Sequence, residues 1–479
     1  MTIEDIFAII VGHTREVLPD LGDHSFQFSD SLRELGANSI DRSEIVMLTL
    51  ESLSLRIPMI EVAKAESVEA ARIVVTGIGV TASIGQGRRA FVDALLAGEH
   101  RFSVMQRPGR QKPSTADNVG APFIGAEIAD LRMPDAIPAA KLRNASWSAQ
   151  VALATLHEAW HDAGLDDVDP RRIGLIVGGS NLQQRELVLN QIKYQDRVEF
   201  LRPTHAMTFM DTDLCGICSE TFGICGLAIT VGGASASGQL AAIQAAEAVR
   251  SGQVDVCIAL GALMDLSFFE CQAFRSLGAM GSDRFARQPA LACRPFDRDH
   301  DGFIFGEACG AIVVRRAEDI KPDAAPPYAE LKSWAMAWDA NRNPNPSLEG
   351  ETIVIQRALA IAGLAADAID YVNPHGTASV IGDETELAAL RACGLDHAYI
   401  NATKSLIGHG LSAAGMVELI AVMLQMQAGK LHPSRNLDNP IDAGFRWVGA
   451  TAADHVIERA LNMSMGFGGI NTAVCLQRC

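Results

Sequence analysis

The chain has 479 residues, 48% of them apolar and 20% charged, with a formal net charge of −17. That length exceeds what one hydrophobic core covers, so a large two-part domain, or a large domain with a small companion, is expected. The negative charge argues against nucleic acid or an anionic membrane as partner, and no apolar run approaches the ~20 residues of a membrane-spanning helix.

Residues 1–11 carry no basic stretch ahead of their apolar positions, so they do not read as a secretory signal, and a cytoplasmic location is expected. Ten widely spaced cysteines fit buried, reduced thiols better than a disulfide framework. Cys215 and Cys218 form a C-x-x-C without a second pair at zinc spacing; they read as core, and no metal site is expected.

The acidity is uneven: residues 1–71 hold thirteen Asp or Glu against five Lys or Arg and read as a separate, small, all-α unit. A helix is predicted over 3–18, then a loop to 28, then a second helix opening near Asn38 and Ser39. Asn38 suits an N-cap, and Asp41 and Glu44 fall in the first turn, where the helix dipole favours negative charge. On residue type alone Ser39 is a helix cap.

The segment 35–42, Leu-Gly-Ala-Asn-Ser-Ile-Asp-Arg, resembles the attachment site of acyl carrier proteins, with Asn38 where that family usually has Asp. The resemblance implies a 4'-phosphopantetheine arm on Ser39. Carrier domains of this type end in a fourth helix, whereas residues 67–71 run directly into a strand at Ile73. The unit is therefore either an incomplete carrier or one joined too tightly for its arm to serve the same chain.

From Arg72 the texture changes to short apolar strands, glycine-rich turns and alanine-rich helices. Strands are predicted at 73–75, 227–231 and 254–260, with a helix over 239–249 that Gly252 stops. A proline-rich connection occupies 322–327; strands at 368–372 and 398–401 and a long apolar helix over 411–428 follow. This alternation predicts a parallel sheet covered on both faces, in two α/β halves at about 72–321 and 328–479. Residues 77–82, Gly-Ile-Gly-Val-Thr-Ala, mimic a dinucleotide fingerprint but read as the first strand's turn.

The segment 230–238, Thr-Val-Gly-Gly-Ala-Ser-Ala-Ser-Gly, sits between a strand and a helix, where a sharp turn exposes one side chain and helix-start N–H groups favour negative charge. Asn373-Pro374-His375-Gly376-Thr377 and the 403–410 run Thr-Lys-Ser-Leu-Ile-Gly-His-Gly each place a histidine after a strand. With Gly466-Phe467-Gly468-Gly469-Ile470-Asn471 and the 297–303 run Asp-Arg-Asp-His-Asp-Gly-Phe, these segments resemble the ordered motifs of β-ketoacyl synthases. The resemblance covers about 72–476 and implies a thiolase-like, five-layered α/β fold that forms a homodimer.

It also implies roles. Residue 235 occupies the place of the family's acyl-accepting cysteine but is serine, and an alcohol does not ionise near neutrality as a thiol does. Acyl transfer is thereby impaired. Decarboxylation of a malonyl thioester needs no nucleophile, only a dry pocket and donors to the enolate oxygen, and His375 and His409 are both retained. Lys404 resembles the lysine that orients the second histidine, with Glu307 as its expected partner. The N–H groups of Ser235 and Phe467 match the oxyanion hole, Phe467 resembles the pocket gate, and Met465 stands where many relatives have phenylalanine.

The 209–216, 232–235 and 260–266 segments resemble the decarboxylating ketosynthases of polyketide β-branching cassettes, and residues 38–42 resemble that cassette's donor carrier. The resemblance implies conversion of malonyl-carrier to acetyl-carrier and carbon dioxide. The phosphopantetheine sits on Ser39 or on a partner carrier protein, and a hydroxymethylglutaryl synthase-like enzyme acts downstream. Two other readings remain: an acyltransferase using Ser235 as nucleophile, and a non-catalytic subunit resembling a chain-length factor, which the retained histidines and Lys404 count against.

Overall fold

The computed structural model describes residues 3–28, 30, 32, 35–37, 39–53, 71–113, 121–281 and 283–479. The chain divides into two compact units, Met1–Ala71 and Arg72–Cys479. In the first, helices Ile3–Val17 and Ser39–Ser52 pack together over buried Ile45, Thr14 and Thr49, and His13 Nε2 meets Ser52 Oγ at 2.8 Å. Ser39 is the first residue of its helix and Asp41 lies in the first turn. Asn38 and residues 67–70, on which the capping and missing-linker readings rest, lie outside the described residues.

The second unit is built on one twelve-stranded sheet. Its middle runs Arg459–Gly466, Ile470–Gln477, Ala329–Trp338, Ile73–Ala82, Ala308–Arg316, Val256–Gly261, every neighbour antiparallel. Only the edges are parallel: Ile173–Gly178 and Ala228–Val231 on one side, Tyr371–Asn373, Tyr399–Ile400 and Arg446–Trp447 on the other. The expected parallel sheet is thus corrected to a mixed one. Helical crossovers impose parallel pairing, whereas the tight turn at Gly468 and Gly469, with φ of 93° and 85°, can return the chain only antiparallel.

The two halves join where Ile73, Val74 and Val75 pair with Leu331, Glu330 and Ala329. Helix Trp147–Asp162 covers one outer face and Leu348–Ala362 the other, while Ser237–Arg250 and Ala414–Ala428 pack against each other between the halves. With each half of the sheet taken as a layer, helix, half-sheet, helix, half-sheet and helix follow one another.

Gly77 and Gly79 serve this layering. A Cβ on Gly77 would stand 2.6 Å from Ala163 Cβ, and one on Gly79 2.0 Å from Thr155 O, so glycine lets the 147–162 helix lie directly on the strand. The run predicted over 411–428 starts as a 3-10 turn, Leu411–Ala413, because Leu411 has a φ of 50°. The α-helix after it, Ala414–Ala428, is buried from Ala414 to Met426, so its apolarity belongs to the protein core. Cys215 and Cys218 are likewise buried in a hydrophobic cluster.

Candidate active site

Ser235 lies in the turn between the Ala228–Val231 strand and the Ser237–Arg250 helix. Ala234 before it has a φ of 47°, a left-handed conformation that costs a non-glycine residue roughly 1–2 kcal/mol. Ser237 holds the turn: its Oγ donates to Ala234 O at 2.7 Å and accepts from Gly233 N–H at 2.9 Å. The Gly466 turn stacks on it, since a Cβ there would stand 2.3 Å from Gly233 O. That close approach sets Phe467 on the same cavity as Ser235.

His375 follows the end of the Tyr371–Asn373 strand, and Glu386 grips its backbone by accepting the N–H groups of His375 at 2.6 Å and Gly376 at 2.8 Å. His409 follows the short Lys404–Ile407 helix; its N–H donates to Ile304 O at 2.7 Å. Here too glycine is required, because a Cβ on Gly306 would stand 1.9 Å from Ile407 O. The two imidazoles meet edge to face with centroids 5.5 Å apart, and Phe303 packs edge-on against His409 at 5.2 Å.

Burial, reinforced by the charge of Lys404, holds both imidazoles well below the usual histidine range, so each ring is neutral at pH 7. Their hydrogens can be placed. Leu411 N–H donates to His409 Nδ1 at 3.3 Å, and the Lys404 ammonium faces His375 Nδ1 at 3.5 Å. Both Nδ1 atoms are therefore acceptors, and each neutral ring carries its hydrogen on Nε2. His409 Nε2 is 3.0 Å from Ser235 Oγ; the imidazole donates and the hydroxyl oxygen accepts.

Lys404 is buried and donates to the His375 carbonyl and to Glu418, 2.5 Å away. Glu307 is not its partner, which corrects the expectation. The Glu307 carboxylate is turned away to Arg110 Nη2 at 2.6 Å, Arg107 Nη2 at 2.8 Å, Trp147 Nε1 at 2.9 Å and Ile128 N–H at 2.7 Å. Asp265 completes that buried network through Arg110 and Arg185.

Ser235, His375, His409, Phe467 and Met465 line one cavity of about 420 Å³; Lys404 stands behind its wall. Phe467 is 41% exposed at the mouth and faces Phe274 at 6.3 Å, which in turn meets Phe303 at 5.5 Å. An aromatic run thus leads from the opening to His409.

The family model of the β-ketoacyl synthase N-terminal domain matches residues 70–320, and that of the C-terminal domain matches 328–438. The chain belongs to the β-ketoacyl synthase family. A relative named polyketide biosynthesis malonyl-ACP decarboxylase PksF, from Bacillus subtilis (strain 168), is 60% identical over 405 residues, spanning 85% of this chain and 96% of the relative. A 3-oxoacyl-acyl-carrier-protein synthase 2 of Coxiella burnetii is 28% identical over 424 residues, 86% of this chain and 99% of its own.

Among solved structures, the ishigamide ketosynthase/chain length factor superposes with a TM-score of 0.77 at 26% identity over 86% of this chain and 100% of that one. A ketosynthase in complex with its type II acyl-carrier protein shares the fold at 23% identity, with a TM-score of 0.75 over 86% and 100% of the two chains. The thiolase-like ketosynthase fold expected from the motifs is the fold found.

Motif reading missed Glu386, Glu418 and the Leu411 N–H. Glu418 had a visible signal, as the one acid in the apolar Ala414–Ala428 helix. The Leu411 amide had none, since a backbone donor leaves no mark in a sequence.

Proposed function

We propose that this ketosynthase-family enzyme is a malonyl-acyl-carrier-protein decarboxylase that makes acetyl-carrier for β-branching in polyketide biosynthesis and does not elongate chains. One observation carries the reading: the oxygen of Ser235, which stands where the resemblance expects a thiol, accepts a hydrogen bond from His409. No ring nitrogen is left as a base toward the hydroxyl, which opposes the acyltransferase reading. His375 and His409 nevertheless both line the cavity, and a thioester oxygen that displaces Ser235 Oγ as acceptor of the His409 Nε2–H meets the paired donors an enolate oxygen requires. As the bond from the malonyl carboxylate to Cα breaks, its electron pair passes to the thioester oxygen held by His375 and His409, and carbon dioxide leaves. Phe303, Phe274 and Phe467 keep the carboxylate from water. The 60% identical decarboxylase PksF supports this choice of substrate.

In the same reading a phosphopantetheine arm delivers the malonyl group. Ser39, at the head of its helix with Asp41 in the first turn, is its attachment point on this chain, and a separate carrier protein is the other donor. A hydroxymethylglutaryl synthase-like enzyme takes the acetyl product. The homodimer is supported by the Ala228–Val231 strand: no second described strand pairs with it, and Ile229, Phe209, Met207 and Met210 are exposed.

Mass spectrometry of malonyl-loaded carrier with the protein should show a loss of 44 Da, about the mass of carbon dioxide; an unchanged malonyl species at high enzyme concentration overturns the reading. Intact mass after treatment with a phosphopantetheinyl transferase tests Ser39, and no gain ends that assignment.

A further inference from the structure

Decarboxylation leaves an enolate that must gain a proton at Cα before acetyl-carrier can leave, and the reaction is incomplete until that donor is named. In a condensing relative Cα attacks an acyl carbon instead; this site must supply a hydrogen.

Three observations single out Ser235. Its oxygen accepts from His409 Nε2–H, as the Leu411 N–H on Nδ1 dictates, so the hydroxyl hydrogen is not spent on the imidazole. Among the described residues no acceptor meets that hydrogen. Of the other hydroxyls lining the cavity, Ser180, Thr377, Ser379 and Ser412, Thr377 donates to Ser379 at 2.9 Å and Ser412 to Ala262 O at 2.8 Å, and among the described hydroxyls only that of Ser235 meets the nitrogen of a cavity imidazole. Finally, Oγ is 3.0 Å from the nitrogen that holds the thioester oxygen. When the thioester oxygen takes the place of Oγ as acceptor on Nε2 at about 2.9 Å, Oγ stays beside it in the same cavity, with Cα two bonds from that oxygen.

We propose that Ser235 is the proton donor to Cα, an inference that rests on the decarboxylase reading above. The Oγ–H bond breaks as the enolate C=C π pair forms the Cα–H bond, and the oxyanion's electron pair re-forms the thioester C=O. A water molecule entering through the cavity mouth restores the Oγ hydrogen, so the net proton comes from solvent. A hydroxyl fixed at one side of the enolate delivers hydrogen to one face only.

The test uses the full-length protein and carrier freshly loaded with malonyl thioester bearing deuterium at one prochiral C2 position, in tritiated water. Wild type and Ser235→Thr should give a methyl group of single configuration. Ser235→Ala should give a racemic methyl. A racemic wild-type product, or retained configuration in Ser235→Ala, overturns the assignment. Absence of carbon dioxide from wild type would instead overturn the decarboxylase reading.

Discussion

His375 and His409 reach the same tautomer by different means, one through an ammonium and the other through a backbone amide. In the proposed mechanism each is one of two donors to a developing oxyanion, a role worth about 10²–10³ in rate per donor. His375→Ala and His409→Ala should each slow carbon dioxide release by that factor while leaving thermal stability nearly unchanged. Behind them, Glu418→Ala strands the buried Lys404 charge and should cost about 3–5 kcal/mol, read from urea unfolding. That Ser235, His375, His409 and Phe467 line one cavity was legible because each stands in a short motif. The Lys404 partner was not, because which of two glutamates a lysine meets depends on tertiary packing.

The catalytic loops are set by close backbone approaches between elements. Gly306 lies under Ile407, and Gly466 lies against Gly233, so neither contact tolerates a side chain. Gly306→Ala should displace the His409 loop and lower kcat by about tenfold or more with less effect on KM, checked by steady-state kinetics on malonyl-carrier. At this scale most elements were visible in the sequence as apolar runs between glycines, although the Ile73–Ala82 strand is far longer than the three residues predicted. Pairing direction was not visible. A strand such as Ala308–Arg316 has the same continuous apolar texture whether its neighbours run with it or against it.

Across the molecule, buried ionisable groups set the pH range of stability. Desolvation raises Glu386 to about 8 and Glu418 to about 7, so the folded state holds protons there that the unfolded chain releases near 4.5. Their contribution is present below 4.5 and is lost as pH rises through those values. His432, lowered to about 4 by burial, acts oppositely, with stability lost as pH falls from 6.5 toward 4. Between pH 6.5 and 8 the carboxyls act together with His300, which against the effect of burial is raised by its bond to Asp383, and Tm should fall across that window in differential scanning calorimetry, by roughly 1 kcal/mol of stability per pH unit from the carboxyls.

The two halves share one sheet through the pairing of Ile73–Val75 with Ala329–Leu331, pack through the two central helices, and close on each other at the site. Ser235 comes from one half, His375 and His409 from the other, and Ser235 is 174 residues from the imidazole that touches it. Such distant closure is among the slowest events of folding. During renaturation helical ellipticity should recover first and carbon dioxide release last, which makes catalysis itself the clock of the final docking step.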